Sequence, residues 1–456
     1  MHRRRLLALA GPVYLELLAG VVAGVIDMIW VARLGAGAVA AVAIATNVEN
    51  ALMGVILVTE LGATVLIARR RGAGDTAGIS SAIRGAWLLY AAITPVVALG
   101  GWLAREPIAA LFTAPGEARE HAVAFLAVSL PGLAVFFAQL TVNGIYKGLG
   151  DTRTPMRLAM LGNLVLLVLD PLLIYGLAGL PRLGVAGAAL ATVIGRAVAL
   201  GVGLVLLRRA AAGPRTTGAW ADARRIAATG VPMAAEFATR MAGALVMVAA
   251  VARFGPVAVA AYGIGTKATY AATMGFYAVR QAATIHTSHT RGAGGPTRAI
   301  ARETLVIGAA AGLIAAFAAI VAGPWVMRAF TSDAEVIAAG VSFLRWTAPY
   351  LLLLACLIAS TGVWLGEGNG GRLFAVTLAG AVCQVPLAFG LSAVFGLPGV
   401  WLALSGAVAL QLVLLLGGRP ARGSTGRPRS ITPSREPARG RTRRRRRVRP
   451  ARSGPT

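Results

Sequence analysis

The stretch RLGAGAVAAVAIAT, from Arg33 to Thr46, returns as RFGPVAVAAYGIGT, from Arg253 to Thr266, in a chain of 456 residues. Outward from it, other pairs keep the same offset of about 220 residues, as an internal repeat requires. Pro12 with Glu16 falls on Pro232 with Glu236, and RGAG from Arg71 falls on RGAG from Arg291. At nearly the same offset GIYKGLGDTR from Gly144 meets GVWLGEGNGGR from Gly362, both of the form GxxxGxG, and Phe112, Phe125 and Pro131 meet Phe330, Phe343 and Pro349. Chance likeness between apolar segments does not hold one register across turns and apolar runs alike, so the chain reads as two copies of one unit.

The mean hydropathy is +0.73 and only 13% of residues are charged, about half the share of a soluble domain. Apolar runs of about 20 residues recur from Leu6 to Gly418, which is what bilayer-spanning helices need. They number about twelve. The expected fold is an all-α integral membrane protein of twelve transmembrane helices in two pseudo-twofold-related six-helix bundles. An even number of spans per copy gives both copies the same orientation, with their axis along the membrane normal and the substrate path in the cleft between them. The expected division is 1–212 for the first lobe, 213–226 for a cytoplasmic linker, 227–418 for the second lobe and 419–456 for a disordered Arg-rich tail.

The formal net charge of +27 invites a nucleic-acid reading, but about a third of the basic residues lie in that tail, whose Pro, Gly, Ser and Arg can bury no core. Anionic lipid headgroups are its expected contact, and no specific nucleic-acid binding is expected. His2 and Arg3 to Arg5 precede a first apolar run too long for a signal peptide, so it is expected to stay as a span. Cys356 and Cys383 lie within apolar runs and read as small apolar residues, not a disulfide framework. With the amino terminus in the cytoplasm, Arg and Lys sort strongly to the inner segments, so both termini are expected inside and the location is a bacterial-type cytoplasmic membrane.

Four segments in order resemble the multidrug and toxic compound extrusion (MATE) family: VIDMIWVARLG from Val25, ARRRGAGD from Ala68, GIYKGLGDTRTPM from Gly144 and GNLVLLVLDPLLIYG from Gly162. The resemblance runs to about Gly418. It implies a secondary antiporter, not an enzyme, working by rocker-type alternating access: cationic or amphipathic drugs or metabolites leave as H+ or Na+ enters. No cofactor is implied beyond the coupling ion, and the protein is expected to act as a monomer. The alternative within the same superfamily is a lipid-linked oligosaccharide flippase.

A mid-bilayer carboxylate costs at least about 2.5 kcal/mol. Glu16, Asp27, Glu49, Glu60, Asp170 and Glu236 fall inside apolar runs. All but Glu236 belong to the first half, where coupling-ion chemistry is therefore expected. In the second half Met247 stands for Asp27 and Val385 for Asp170. A carboxylate in such a run can take a proton from one face and release it when a cation or water arrives. The resemblance puts Asp27 and Asp170 at the family's acidic positions; the other reading is that they hold neighbouring helices together. Glu16 and Asp27 are about 16 Å apart on one helix face. Glu236 either lines the path or neutralises Arg240 at i+4.

Asn47, Asn50, Gln139, Asn143 and Asn163 either bind substrate or bridge helices. Leu166 stands where many members carry a second Asn, so Asp170 lacks that polar neighbour. Glu60 and Arg280 occupy equivalent places and are expected either to form a gate pair across the axis or to be satisfied each within its own lobe. Lys267 and Glu49 have no evident partner. His286 and His289 form an HxxH with no neighbouring carboxylate or thiol, so no metal site is expected. The RGAG and GLGD segments read as tight turns.

Overall fold

A computed structural model describes residues 2–210, 218–418 and 454. The expected tail, 419–456, falls outside these residues, Gly454 apart, and so does the expected linker from 213 to 217. Fourteen α-helices follow in order: α1 (His2–Ala32), α2 (Ala36–Gly72), α3 (Thr76–Leu103), α4 (Arg105–Phe112), α5 (Glu117–Gly148), α6 (Arg153–Tyr175), α7 (Val185–Ala210), α8 (Ala219–Ala252), α9 (Pro256–Gly292), α10 (Arg298–Phe330), α11 (Ala334–Trp346), α12 (Ala348–Glu367), α13 (Gly370–Phe395) and α14 (Leu397–Gly417). No strand occurs among the described residues. Helix α8 starts inside the stretch expected to link the halves.

Among the described residues, eleven helices are long and apolar enough to cross a membrane. Helix α9 falls short on apolarity because Lys267, Arg280, His286, His289 and Arg291 lie along it. Its 37 residues match the 37 of its repeat partner α2, and the two are spans of the same kind. The second half breaks its fourth span at Thr347, one residue after Trp346, with Pro349 in the first turn of α12. The equivalent Pro131 lies inside an unbroken α5. With α11 and α12 taken as one span and α4 as a short flank, six spans fall in each half.

Packing repeats with the sequence. Helix α2 packs on α5 as α9 packs on α12, α6 on α7 as α13 on α14, and α1 on α6 as α8 on α13. The glycines of GxxxG explain two of these pairs. A Cβ at Gly144 would strike the Glu60 backbone and one at Gly362 the Arg280 backbone. Small residues let spans approach this closely in lipid, where hydrophobic force between helices is lost. Thr64 Oγ1 donates to the Gly144 carbonyl and Thr284 Oγ1 to the Gly362 carbonyl, each at 3.0 Å. The turns are also alike. Gly74, Gly294, Gly150 and Gly368 all have left-handed φ, the conformation that ends a helix. Asp75 then caps α3 by accepting from the Gly78 N–H, and Asp151 accepts from the N–H groups of Arg153 and Thr154.

The two halves meet through α1, α2 and α3 against α8, α9 and α10. Gly62 presses on the Ile226 backbone, Gly230 on that of Val58, Gly72 on that of His289 and Gly292 on that of Arg69. These approaches lie toward the end of the bundle that carries the two RGAG turns. Arg70 closes the same end with a bidentate pair to Asp222, at 2.7 and 2.5 Å, and Arg69 donates to the Gly366 carbonyl at 3.1 Å. Farther along the same helices, Thr46, Asn47 and Asn50 of α2 and Thr266, Lys267 and Tyr270 of α9 are exposed. The cleft is shut at the RGAG end.

Candidate functional site

Within the first half, α1 and α6 pack together, and Asp27 lies within electrostatic range of Asp170. Asp170 is fully buried (0% exposed). Neither of its oxygens has a hydrogen-bond partner, and Asp27 Oδ1 lacks one too. Pro171 follows Asp170 inside α6; its ring removes an N–H, so the carbonyl one turn back loses its helical donor. Arg196, on α7, lies within electrostatic range of both Asp27 and Glu49 and stacks on the Phe136 ring at 4.0 Å.

Glu16 and Glu60 are engaged by a cation. Lys147 Nζ lies 3.0 Å from Glu16 and 2.9 Å from Glu60, and only 3% of the lysine is exposed. Asn143 Nδ2 donates to Glu16 at 3.1 Å. This cluster joins α1, α2 and α5 and holds two carboxylates to one ammonium. The second half inverts the ratio. Glu236, on α8, is 1% exposed and accepts from Arg240 at 3.0 Å and from Arg280 at 2.5 Å. Buried charges persist only when paired, because desolvation of either alone costs several kcal/mol.

Glu60 and Arg280 therefore each have their partner within their own half, and the gate pair expected across the axis is not made. The reason is geometric: Lys147 sits on the face of α5 that α2 covers, one turn from the Gly144 crossing, and reaches Glu60 first. Of the polar candidates, Asn163 Nδ2 donates to the Ala19 carbonyl at 2.6 Å and bridges α6 to α1. Gln139 is buried with Oε1 unpartnered, one turn before Asn143. Asn47 is exposed on α2. His2 Nδ1 lies 2.9 Å from His286 Nε2. No three of His, Cys, Asp and Glu gather as a metal site among the described residues, and Cys356 and Cys383 are unbonded to one another.

Two site residues were not among those expected from the sequence. A glycine turn follows Lys147 and gives it the look of a loop charge, although its place between Gly144 and Gly148 is a helix-packing signal. Arg196 is the one charge in the apolar run Val185–Leu207, which marks it as an intramembrane cation by the same logic applied to the acids.

The MatE family model matches residues 12–172 and 232–389, one match in each half of the repeat. The chain belongs to the MatE family. This makes it a multi-pass membrane transporter, and the MatE matches begin at Pro12 and Pro232, prolines that the internal repeat pairs. The chain is 25% identical over 437 residues to the probable multidrug resistance protein NorM of Thermotoga maritima, covering 91% of this chain and 93% of that one. It is 28% identical over 430 residues to the probable multidrug resistance protein NorM of Deinococcus radiodurans, covering 91% and 94%. Its fold superposes on that of a MOP superfamily transporter from Pyrococcus furiosus with a TM-score of 0.83 at 22% identity, over 92% of this chain and 95% of the other.

Proposed function

We propose that this MatE protein is an antiporter that expels cationic or amphipathic compounds in exchange for H+ or Na+, with Asp27 and Asp170 as the exchange site. One observation carries the reading: both oxygens of Asp170 and Oδ1 of Asp27 are without hydrogen-bond partners and no cation lies at ion-pair distance from either acid among the described residues, whereas Glu60, Glu236 and Glu16, the last with its Oε2 also unpartnered, are each engaged by a buried cation. Unengaged acid oxygens next to a proline-freed backbone carbonyl are the groups a proton or a small cation needs at mid-membrane. Two acids within electrostatic range repel when both are charged, so entry of a positive charge, from the coupling ion or from cargo, relieves them. Only one occupant at a time gains fully from that relief, which is the requirement for exchange.

Glu236 contributes differently. Held by Arg240 and Arg280, it ties α8 to α9 and leaves the second half without an unengaged acid at the equivalent depth. Glu16 with Asn143, Gln139 and Asn47 supplies polar surface along the path. The shut RGAG end together with the exposed residues farther along α2 and α9 supports an outward-facing state, with both termini and the basic turns in the cytoplasm of a bacterial-type cell. Rocking of the halves, lobe 1–212 against lobe 227–418, would open the other end. The drug-resistance names of the two NorM relatives favour efflux over a lipid-linked oligosaccharide flippase.

The test is efflux of a cationic dye from proteoliposomes under an imposed proton gradient, then under a sodium gradient. The wild type is expected to respond to one of them, and Asp27→Asn to lose that response while remaining folded. Efflux by Asp27→Asn equal to wild type under the same gradient overturns the reading.

A further inference from the structure

At the shut end, a cavity of about 80 Å³ opens between the first turns of α1, the end of α2, the end of α5 with its turn, and α9. That is several times the roughly 10–15 Å³ needed for one water. Arg5, Arg71, His286 and His289 line it, with Leu9, Ile285 and the Gly148 to Gly150 turn. None of the lining residues is acidic. Arg5, His2 and His289 are all within electrostatic range of His286, and Arg5 and Arg71 of His289. Among the described residues neither Arg5 nor Arg71 has a carboxylate at ion-pair distance. Arg71 donates to the Leu149 carbonyl, which uses one of five guanidinium N–H groups. His286 is 3% exposed and its Nδ1 has no partner.

The place is unusual for such a gathering of like charge. By contrast, Lys147 is engaged by two glutamates and Arg280 by Glu236. Here two guanidiniums and two imidazoles surround a polar void with an open side, since Arg5 and Arg71 are themselves exposed. A forked guanidinium pair with imidazole donors is the donor set that recognises phosphate oxygens.

We propose that this cavity binds a phosphate group, carried by an anionic lipid headgroup or free in solution, and that its occupancy holds the RGAG end shut. The second part follows from where the walls come from. Arg5, Arg71 and the 148–150 turn belong to the first half, and Ile285, His286 and His289 to the second. Next to the cavity Gly72 meets the His289 backbone, so the walls assemble only while the halves touch. A ligand that binds one state shifts the population toward it by its differential affinity. The site is separate from the exchange acids and stands whichever ion or cargo they serve.

The test places spin labels on Ala73→Cys and Ala293→Cys, the exposed turn positions after α2 and α9, in a background of Cys356→Ala and Cys383→Ala. Distance distributions are measured in neutral phosphatidylcholine nanodiscs without phosphate, with inorganic phosphate added, and with phosphatidylglycerol included. Either anion is expected to raise the ratio of short to long distances about fivefold or more, the lower end of ordinary coupling between sites. A response to inorganic phosphate alone assigns the free ion, one to phosphatidylglycerol alone the headgroup, and one to both the shared phosphate chemistry. Arg5→Gln with Arg71→Gln should remove the response while leaving dye efflux in neutral lipid intact. No change with either anion, or an unchanged response in the double variant, overturns the proposal.

Discussion

Lys147 Nζ lies 2.9 Å from Glu60 Oε1, both on helices of the first half. Their ammonium and carboxylate are almost wholly buried, 3% and 5% exposed, and the same ammonium serves Glu16. Lys147→Met therefore strands two acids, and loss of a buried partner costs about 3–5 kcal/mol. The expected result is a clear fall in thermal unfolding temperature in detergent. Lys147→Met combined with Glu16→Gln and Glu60→Gln should recover most of it, because no charge is then left alone. Charge reversal across the halves, Glu60→Arg with Arg280→Glu, should rescue nothing.

Asp170→Asn should behave in the opposite way. Its carboxylate has no partner to lose, so unfolding temperature should hold or rise while gradient-driven dye efflux is abolished. Glu236→Gln leaves Arg240 and Arg280 buried without a full counter-charge, and should lower stability by about 3–5 kcal/mol. Thermal scans run beside transport separate the two acids: one variant stable and inactive, the other unstable.

Asp222 is 2% exposed and joins α8 to Arg70 of α2 across the halves, with Ser81 Oγ also donating to it at 2.5 Å. Asp222→Asn removes the bidentate charge pair and should shift the protein away from the state shut at the RGAG end. The measurement is labelling of a cysteine placed at Thr229, on the same helix, from the RGAG side. Faster labelling than in the parent is expected.

Gly148 packs against Ile67 and the Thr64 carbonyl, and an added Cβ would lie 2.8 Å from the Ile67 side chain. Gly148→Val should force α5 from α2 and cost about 1–3 kcal/mol, the usual price of overpacking. Gly11, with nothing within 4 Å of an added Cβ, is the control: Gly11→Val should leave unfolding temperature unchanged.

The sequence by itself determined the helical membrane fold, the two-copy plan, the glycine turns and which helices carry acids. Each of these is written in features a few residues wide, namely apolar run length, register and turn residues, and a bilayer leaves backbone hydrogen bonding little choice but helix. Tertiary structure decided which charges meet. Whether Glu60 reaches Lys147 or Arg280 depends on the rotation and depth of three helices at once, and apolar periodicity does not encode these when helices are apolar on every side. The same holds for Arg196 within electrostatic range of Asp27 and for the cationic cavity at the shut end, which draws its walls from α1, α2, α5 and α9. Residues far apart along the chain come together there because glycines let the helices of both halves cross almost in backbone contact.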